Sequence, residues 1–167
     1  MMDHTLAGIV GTRVLTGAGL QAGAVAFSRG RITAAGTGPM LDAGNLLVLP
    51  GIVDLHGDAF ERSVMPRPGV AFPYEGALHD VDRQLLAHGI TTGFHGVTLS
   101  WEGGLRGAPY AQRMFDVLAC MHAELGAHHY VHLRFETHNI DDVALAQEWI
   151  RGGLVRFMAF NDHLPSM

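Results

Sequence analysis

The chain has 167 residues, 48% of them apolar and 16% charged, which are values of a compact domain and not of a disordered chain. Its formal net charge of −5 argues against a protein that neutralises the phosphate backbone of a nucleic acid. One cysteine, no basic leader and no long apolar segment argue against disulfides, export and membrane insertion, and they predict a cytoplasmic protein.

The opening residues have the pattern of a small β domain. Residues 9–15 and 24–27 are short runs of small and β-branched residues, which predict strands. Residues 36–44 contain several glycines and predict an irregular connector. The pattern changes after Pro50, and we therefore predict a small β domain over residues 1–50.

From residue 51 to residue 167, strand patterns alternate with helix patterns. Apolar residues at helical spacing end at Gly89 and again at Gly126, where glycine can adopt the left-handed conformation that follows many helices. A third helix is predicted to begin at Asp141 and Asp142. The predicted strands cover residues 52–56, 90–94, 130–136 and 154–160. This alternation predicts a parallel sheet, either an open doubly wound sheet or part of a (β/α)8 barrel, and the glycine-rich turns of nucleotide-binding folds are absent.

Polar side chains follow the ends of the predicted strands. Asp54, His56 and Asp58 share one side of the first of these strands, because successive side chains of a strand alternate. The carboxyl ends of parallel strands meet at one edge of a sheet, so we predict a site of imidazole and carboxylate groups there. The later strands are followed by similar residues, namely His95, Glu136 and His138, and Asn161, Asp162 and His163.

The third of these strands alternates apolar residues with His132, Arg134 and Glu136. A parallel strand that is covered on both faces is ordinarily apolar throughout, so this polar row needs partners. A metal ion or an anionic ligand would supply them, and an internal ion pair between Arg134 and Glu136 is the alternative. For His95 and His138 a solvated or capping role stays open, as does a helix-capping role for Asp162.

Several motifs of the chain resemble the amidohydrolase superfamily. Residues 49–56 read Leu-Pro-Gly-Ile-Val-Asp-Leu-His and residues 89–92 read Gly-Ile-Thr-Thr, which is similar to the opening of that superfamily, where a small β-sandwich precedes the first barrel strand. The PhnM branch, the diphosphatases of alkylphosphonate breakdown, is the more similar part of it. The motifs of that branch correspond here to His56-Gly-Asp58, Glu61-Arg62, Met65-Pro-Arg67-Pro-Gly69, His132-Leu-Arg134-Phe-Glu136 and Asn161-Asp162-His163-Leu-Pro165.

The resemblance implies a metal-dependent hydrolase that cleaves alpha-D-ribose 1-methylphosphonate 5-triphosphate and releases diphosphate in the carbon–phosphorus lyase pathway. It implies one or two divalent ions, with zinc as the expected metal, bound by His56, Asp58 and Glu136. Asp162 and His163 would complete the catalytic cluster. The expected partner is thus a small phosphorylated sugar phosphonate and neither nucleic acid nor membrane, and homo-oligomerisation stays open. The phosphate or phosphonate oxygens would be bound by Arg62, Arg67 and Arg134.

The predicted barrel is incomplete in this chain. An eight-stranded barrel typically takes ~250 residues, and the pattern reaches only the fourth strand. We therefore expect the first half of a barrel, which by itself lacks hydrolase activity. Two alternatives stay open: an amidohydrolase that acts on a C–N bond, such as a cyclic amide or a deaminase substrate, and a non-enzymatic fragment that binds metal weakly or pairs with another chain.

Overall fold

A computed structural model describes residues 6–163 of the chain. Contacts within it divide the chain into two units, one that ends at Pro50 and one that begins at Gly51. Each unit has its own β-sheet. The described part of the chain is therefore a mixed α/β protein with two separate sheets.

The first unit is one five-stranded sheet. Its strands are β1 (Gly8–Thr16), β2 (Gly19–Ser28), β3 (Arg31–Thr33), β4 (Met40–Asp42) and β5 (Leu47–Val48). The sheet order is β3-β2-β1-β4, and β5 also pairs with β1. Strand β1 is antiparallel to β2 and parallel to β4 and β5. The hairpin from β2 to β3 turns at Arg29 and Gly30, whose φ angles of 51° and 72° are the two positive values that a tight two-residue turn requires.

The structure confirms the strands predicted over residues 9–15 and 24–27, but the predicted connector is only partly irregular. Residues 40–42 form β4, which pairs in parallel with β1. All three residues of β4 are exposed, so the strand lacks the alternation of buried and exposed residues that would reveal it in the sequence. The sandwich implied by the resemblance is represented by a single sheet in residues 6–50.

The second unit is built on a four-stranded parallel sheet in the order β6-β7-β8-β9. Its elements are β6 (Ile52–Gly57), α1 (Ala59–Val64), α2 (Tyr74–Ala87), β7 (Ile90–Leu99), α3 (Ala108–Met121), β8 (His128–Glu136), α4 (Val143–Arg151) and β9 (Val155–Asn161). Short 3-10 turns precede α3 and α4 at Gly104–Arg106 and Ile140–Asp142. Neighbouring strands follow chain order without a reversal, as in part of a (β/α)8 barrel and unlike a doubly wound sheet.

The core of this unit lies between the helices and one face of the sheet. The strands contribute the buried residues Val97, Leu99, Val131, Leu133 and Phe135. Because side chains alternate along a strand, the polar residues of β8 lie on the face away from the helices. The helices contribute Leu78, Val81, Met114, Phe115 and Trp149.

Strand β6 is more exposed than its sequence suggests. Its apolar residues Ile52, Val53 and Leu55 are each more than half exposed. These residues are exposed because β6 lies at the edge of its sheet and pairs only with β7.

A glycine closely follows the end of one of the two helices that are predicted to stop at glycine. Helix α2 ends at Ala87, and Gly89 follows with a φ of 77°. Helix α3 ends at Met121, before the predicted stop at Gly126, because the chain turns at once and Glu124 N–H donates to the Met121 carbonyl. The longest helices of residues 6–163 have 14 residues, and none is long and apolar enough to cross a membrane.

Candidate functional site

The carboxyl ends of β6 and β8 bring three of the predicted site residues together. Nε2 of His56 lies 3.4 Å from Oδ2 of Asp58, and Nη1 of Arg134 lies 3.9 Å from Oδ1 of Asp58. Nδ1 of His56 also lies 3.1 Å from Nδ1 of His132. We call His56, Asp58, His132 and Arg134 the rim cluster.

Gly96 allows the side chains of Asp58 and Arg134 to lie close together. It lies on β7, between β6 and β8, and pairs with His132 in the sheet. A Cβ atom at position 96 would lie 2.8 Å from Oδ1 of Asp58 and 3.4 Å from Cδ of Arg134. Any side chain at this position would therefore push the Asp58 carboxylate away, so the rim cluster occupies space that only glycine leaves free.

His132 is the buried member of the rim cluster. It is 4% exposed, and its ring packs on that of Phe157 with 4.3 Å between the ring centroids. Burial lowers the pKa of His132, and the neighbouring charges of His56 and Arg134 lower it further. Nε2 of His132 is buried and has no hydrogen-bond partner within residues 6–163. Buried polar atoms are ordinarily paired, so this nitrogen is an exception among the described residues.

A second pair lies at the ends of β8 and β9. Glu136 is 2% exposed, and its Oε1 lies 2.5 Å from Nδ1 of His163. The backbone N–H of His163 donates to Oε2 of Glu136 over 3.3 Å. A buried carboxylate is costly unless it is paired, and His163 supplies that pairing through both its ring and its backbone. We call these two residues the Glu136–His163 pair.

Asp162 and His138, which are close in the sequence to His163 and Glu136 respectively, form a more exposed contact. Oδ1 of Asp162 lies 3.6 Å from Nε2 of His138, and the two side chains are 67% and 50% exposed. Solvent screens an exposed pair of this kind, so it contributes little to stability. Both side chains are accessible from solvent.

The loop after β7 holds Arg106, which was not among the predicted site residues. Nη1 of Arg106 lies 2.7 Å from Oε2 of Glu102, and the Ser100 N–H donates to the Arg106 carbonyl over 2.7 Å. The hydrogen bond with Glu102 raises the pKa of Arg106, and the charges of Glu136 and Glu61 add to that effect. Arg106 thus interacts electrostatically with Glu136 and Glu61.

The residues before this loop show that β7 is longer than predicted, and no pattern in the sequence points to Arg106 itself. His95, Val97 and Leu99 are buried on the helix side, and they extend the strand well past the predicted end at residue 94. His95 consequently lies within β7 and not after it. It is 3% exposed and belongs to the packed interior, so neither a ligand role at the strand end nor a solvated role describes it.

Asp82 of α2 holds His95 in place through a second histidine. Its carboxylate accepts hydrogen bonds from Gly126 N–H at 3.1 Å, from Ala127 N–H at 2.8 Å and from Nε2 of His129 at 3.0 Å. Burial opposes the charge of Asp82, but these hydrogen bonds outweigh it and lower its pKa. Nε2 of His95 lies 2.8 Å from Nδ1 of His129, and burial with the charge of His129 lowers the pKa of His95 to about 3. We call Asp82, His129 and His95 the buried chain.

The two residues of the Glu-Arg motif in α1, Glu61 and Arg62, have different surroundings. Burial and the carboxylate of Asp58 raise the pKa of Glu61, whereas Arg106 and Arg134 oppose the shift, so Glu61 interacts electrostatically with the rim cluster. Arg62 instead lines a cavity between α1 and α2.

Arg67 lies in the turn that follows α1, where its backbone forms an isolated bridge with Val70. Within residues 6–163, no hydrogen bond or ion pair joins the side chain of Arg62 or Arg67 to the rim cluster. The substrate-binding roles of these two arginines stay predictions.

The side chains at the rim are of the types that bind divalent ions, but too few of them lie close together. Imidazole and carboxylate are the usual ligands of zinc. Yet no three His, Cys, Asp or Glu side chains in residues 6–163 are grouped closely enough to hold a metal ion. His56 explains this in part, because it contacts Asp58 with one ring nitrogen and His132 with the other. The predicted ligands His56, Asp58 and Glu136 are therefore present as members of two separate pairs.

Comparison with known proteins gives one distant relationship. The chain is 28% identical over 122 residues to the alpha-D-ribose 1-methylphosphonate 5-triphosphate diphosphatase of Escherichia coli (strain K12). The matched segment is 71% of this chain but only 32% of that protein. No protein-family model matches the chain, and no solved structure matches it. The chain is thus distantly related to a diphosphatase that acts on a phosphonate, and its resemblance to the amidohydrolase superfamily as a whole stays a prediction.

Proposed function

We propose that this protein is a metal-dependent hydrolase of phosphonate metabolism, which cleaves alpha-D-ribose 1-methylphosphonate 5-triphosphate and releases diphosphate. The observation that carries this proposal is the rim cluster, in which imidazole, carboxylate and guanidinium groups meet at the carboxyl ends of parallel strands. Barrel enzymes have their active sites at this end of the sheet. The distant relationship to the E. coli diphosphatase supports the substrate class.

Arg134 binds the phosphate oxygens in this proposal, and Arg106 adds positive charge near the carboxylates of Glu61 and Glu136. The carboxylates of Asp58, Glu61 and Glu136 would by themselves repel a triphosphate, so cations must offset them. Arg134 is 3.9 Å from Asp58, too far for a hydrogen bond, and its donors are therefore available to a phosphate. A guanidinium can donate two parallel hydrogen bonds to one phosphate group.

A divalent ion, with zinc as the expected metal, would be held by His56, Asp58 and Glu136. Such an ion supplies a Lewis acid that activates water and offsets charge on the attacked phosphoryl group. Because these three residues lie in two separate pairs, His56 must release one of its contacts and Glu136 must free one carboxylate oxygen from His163 before they can hold one ion.

His163 moves the proton in this proposal, and Asp162 assists from the neighbouring position. Nδ1 of His163 is held by Glu136, which orients the ring and leaves Nε2 to accept a proton from water or to donate one to the leaving diphosphate. The side chain of His163 is 53% exposed, so substrate can reach it.

The same proposal includes the architecture. The second unit would be the first half of a (β/α)8 barrel, and the first unit would be part of a β-sandwich domain over residues 1–50. The cytoplasmic location that the sequence predicts fits a phosphorylated metabolite as substrate.

The test is product analysis by phosphorus NMR with the proposed triphosphate. It is run with zinc on the 167-residue chain and on any longer product of the same reading frame. We expect diphosphate from a product that completes the barrel and none from the 167-residue chain. Hydrolysis of a cyclic amide without release of diphosphate would favour the C–N hydrolase and contradict the proposal.

Arg134→Gln distinguishes a role in phosphate binding from a role in folding. In a product that completes the barrel, we expect KM for the triphosphate to rise by roughly 10-fold or more, as for the loss of one charge-assisted hydrogen-bonding group. Arg151→Gln is the matched control, because Arg151 is an exposed arginine of α4 that bonds only to Gln147 within the described residues. An equal KM in the Arg134 variant and the control would refute the role of Arg134.

A further inference from the structure

We propose that the cavity between α1 and α2 binds a small organic anion at a site separate from the rim cluster. The cavity has a volume of about 470 Å³, which lies within the range of small-molecule pockets. Its walls come from α1, from the segment over residues 65–73 and from the first turns of α2. The side chains that matter for the argument are those of Arg62, Pro66, Phe72, His79 and Arg83, together with Gly76.

Arg62 is the reason to expect an anion. Within residues 6–163 it has no ion pair and no hydrogen bond through its side chain. The other basic groups of the wall already have acidic neighbours, since Arg83 pairs with Asp80 at 3.0 Å and His79 with Glu124 at 3.7 Å. The cavity thus contains one positive charge that the described residues do not offset. A planar guanidinium matches the oxygen geometry of phosphate or carboxylate.

The remaining wall requires that this anion also has an apolar part. Phe72, which is 54% exposed, and Ala77, which is 4% exposed, both line the cavity. Pro66 and Pro73 line it as well. Pockets of this kind combine apolar walls with a few polar groups that orient the ligand. A hydrophobic ring or chain that carries one phosphate or carboxylate fits both properties.

Gly76 keeps the cavity open. Glycine within a helix is less favourable than alanine, because it loses more backbone entropy on folding. A Cβ atom at position 76 would meet no other atom within 4 Å, so packing does not require glycine there. Gly76 lines the cavity, and a long side chain at this position would extend into it.

The cavity and the rim cluster are separated by α1. Glu61 interacts electrostatically with Asp58, Arg106 and Arg134, whereas the next residue, Arg62, lines the cavity. None of the four residues of the rim cluster lines this cavity. The inference therefore does not rest on the proposed hydrolase, and it assigns Arg62 to a ligand of its own.

The experiment measures binding of phenyl phosphate to the full chain by isothermal titration calorimetry. Inorganic phosphate and phenol, tested separately, represent its two halves, and benzoate replaces phosphate by carboxylate. We expect phenyl phosphate to bind more tightly than either half. Arg62→Gln should raise its Kd by roughly 10-fold, Gly76→Met should abolish binding, and Arg151→Gln should leave the Kd unchanged.

Equal binding of phenyl phosphate by the native chain and by Arg62→Gln would overturn the proposal. So would loss of binding in Arg134→Gln with retention in Arg62→Gln, because the anion would then bind at the rim cluster. Arg62 is exposed, and its substitution leaves the fold intact, so this comparison decides the matter even where Gly76→Met does not fold. Benzoate that binds as tightly as phenyl phosphate supports the same site and widens the class to carboxylates.

Discussion

Replacement of His95 by glutamine should remove part of the acid sensitivity of this protein. His95 is buried, and its pKa is lowered from 6.5 to about 3, first by burial and then by the charge of His129. In the folded chain it therefore stays neutral well below the pH at which the unfolded chain protonates it. Its contribution to stability is fully present above pH 6.5 and is lost as the pH falls toward 3. Glutamine keeps a donor for His129 but cannot titrate.

The size of the effect follows from the two pKa values. Each unit of difference corresponds to about 1.4 kcal/mol of free energy, and at about pH 5 the unfolded chain has gained most of one proton more than the folded chain. The free energy of unfolding should thus fall by roughly 2 kcal/mol between pH 7 and pH 5 through His95 alone. All other ionisable groups are the same in both proteins, so this amount is the expected difference between the native chain and His95→Gln.

The assay is urea unfolding of both proteins at the two pH values, followed by circular dichroism. We expect the native chain to lose more stability on acidification than His95→Gln does, by about 2 kcal/mol. Equal losses in the two proteins would refute the argument, because they would mean that His95 is not held neutral by the buried chain. A lower absolute stability of the variant at pH 7 would not affect the comparison, since only the change with pH is used.

Three further changes test other parts of the structure. Gly96→Ala should displace the Asp58 carboxylate, because the new Cβ would lie 2.8 Å from Oδ1, and should therefore weaken zinc binding. The melting temperature should change little, because the end of the Asp58 side chain can move away. Unchanged zinc affinity would contradict this. Asp82→Asn should lower the free energy of unfolding by about 1–3 kcal/mol, because at least one buried N–H loses a charged acceptor; a stability equal to that of the native chain in urea would count against the buried chain. In a product that completes the barrel, His56→Ala should abolish stoichiometric zinc uptake in calorimetry, whereas His88→Ala, at an exposed position, should not; zinc uptake that survives in His56→Ala would refute the ligand assignment.

The local pattern of the sequence was enough to predict most of the second unit. Helix α2 was predictable from its apolar spacing and from the glycine that follows it, and β8 from its strict alternation of apolar and polar residues. The alternation also placed His132, Arg134 and Glu136 on one face. These features depend on neighbours along the chain, which is why one sequence without relatives reveals them.

Pairing between distant segments was not predictable in the same way. Strand β4 has no buried residue, and only its pairing with β1 makes it a strand. The carboxylate of Asp82 meets His129 although 47 positions separate them. Arg106 comes near the carboxylates of the rim only because β7 runs on to Leu99 and carries its loop to that edge.

The sequence by itself determined the alternation of strands and helices in the second unit and the polar character of one edge of its sheet. Only the tertiary structure decided which of these polar residues meet. It places His56 and Arg134 next to Asp58, in space that the absence of a side chain at Gly96 leaves free. It also pairs Glu136 with His163 and places Arg62 at a separate cavity. The physical reason is that such meetings depend on strand register and on the space between side chains, which are properties of packed neighbours and not of any local pattern.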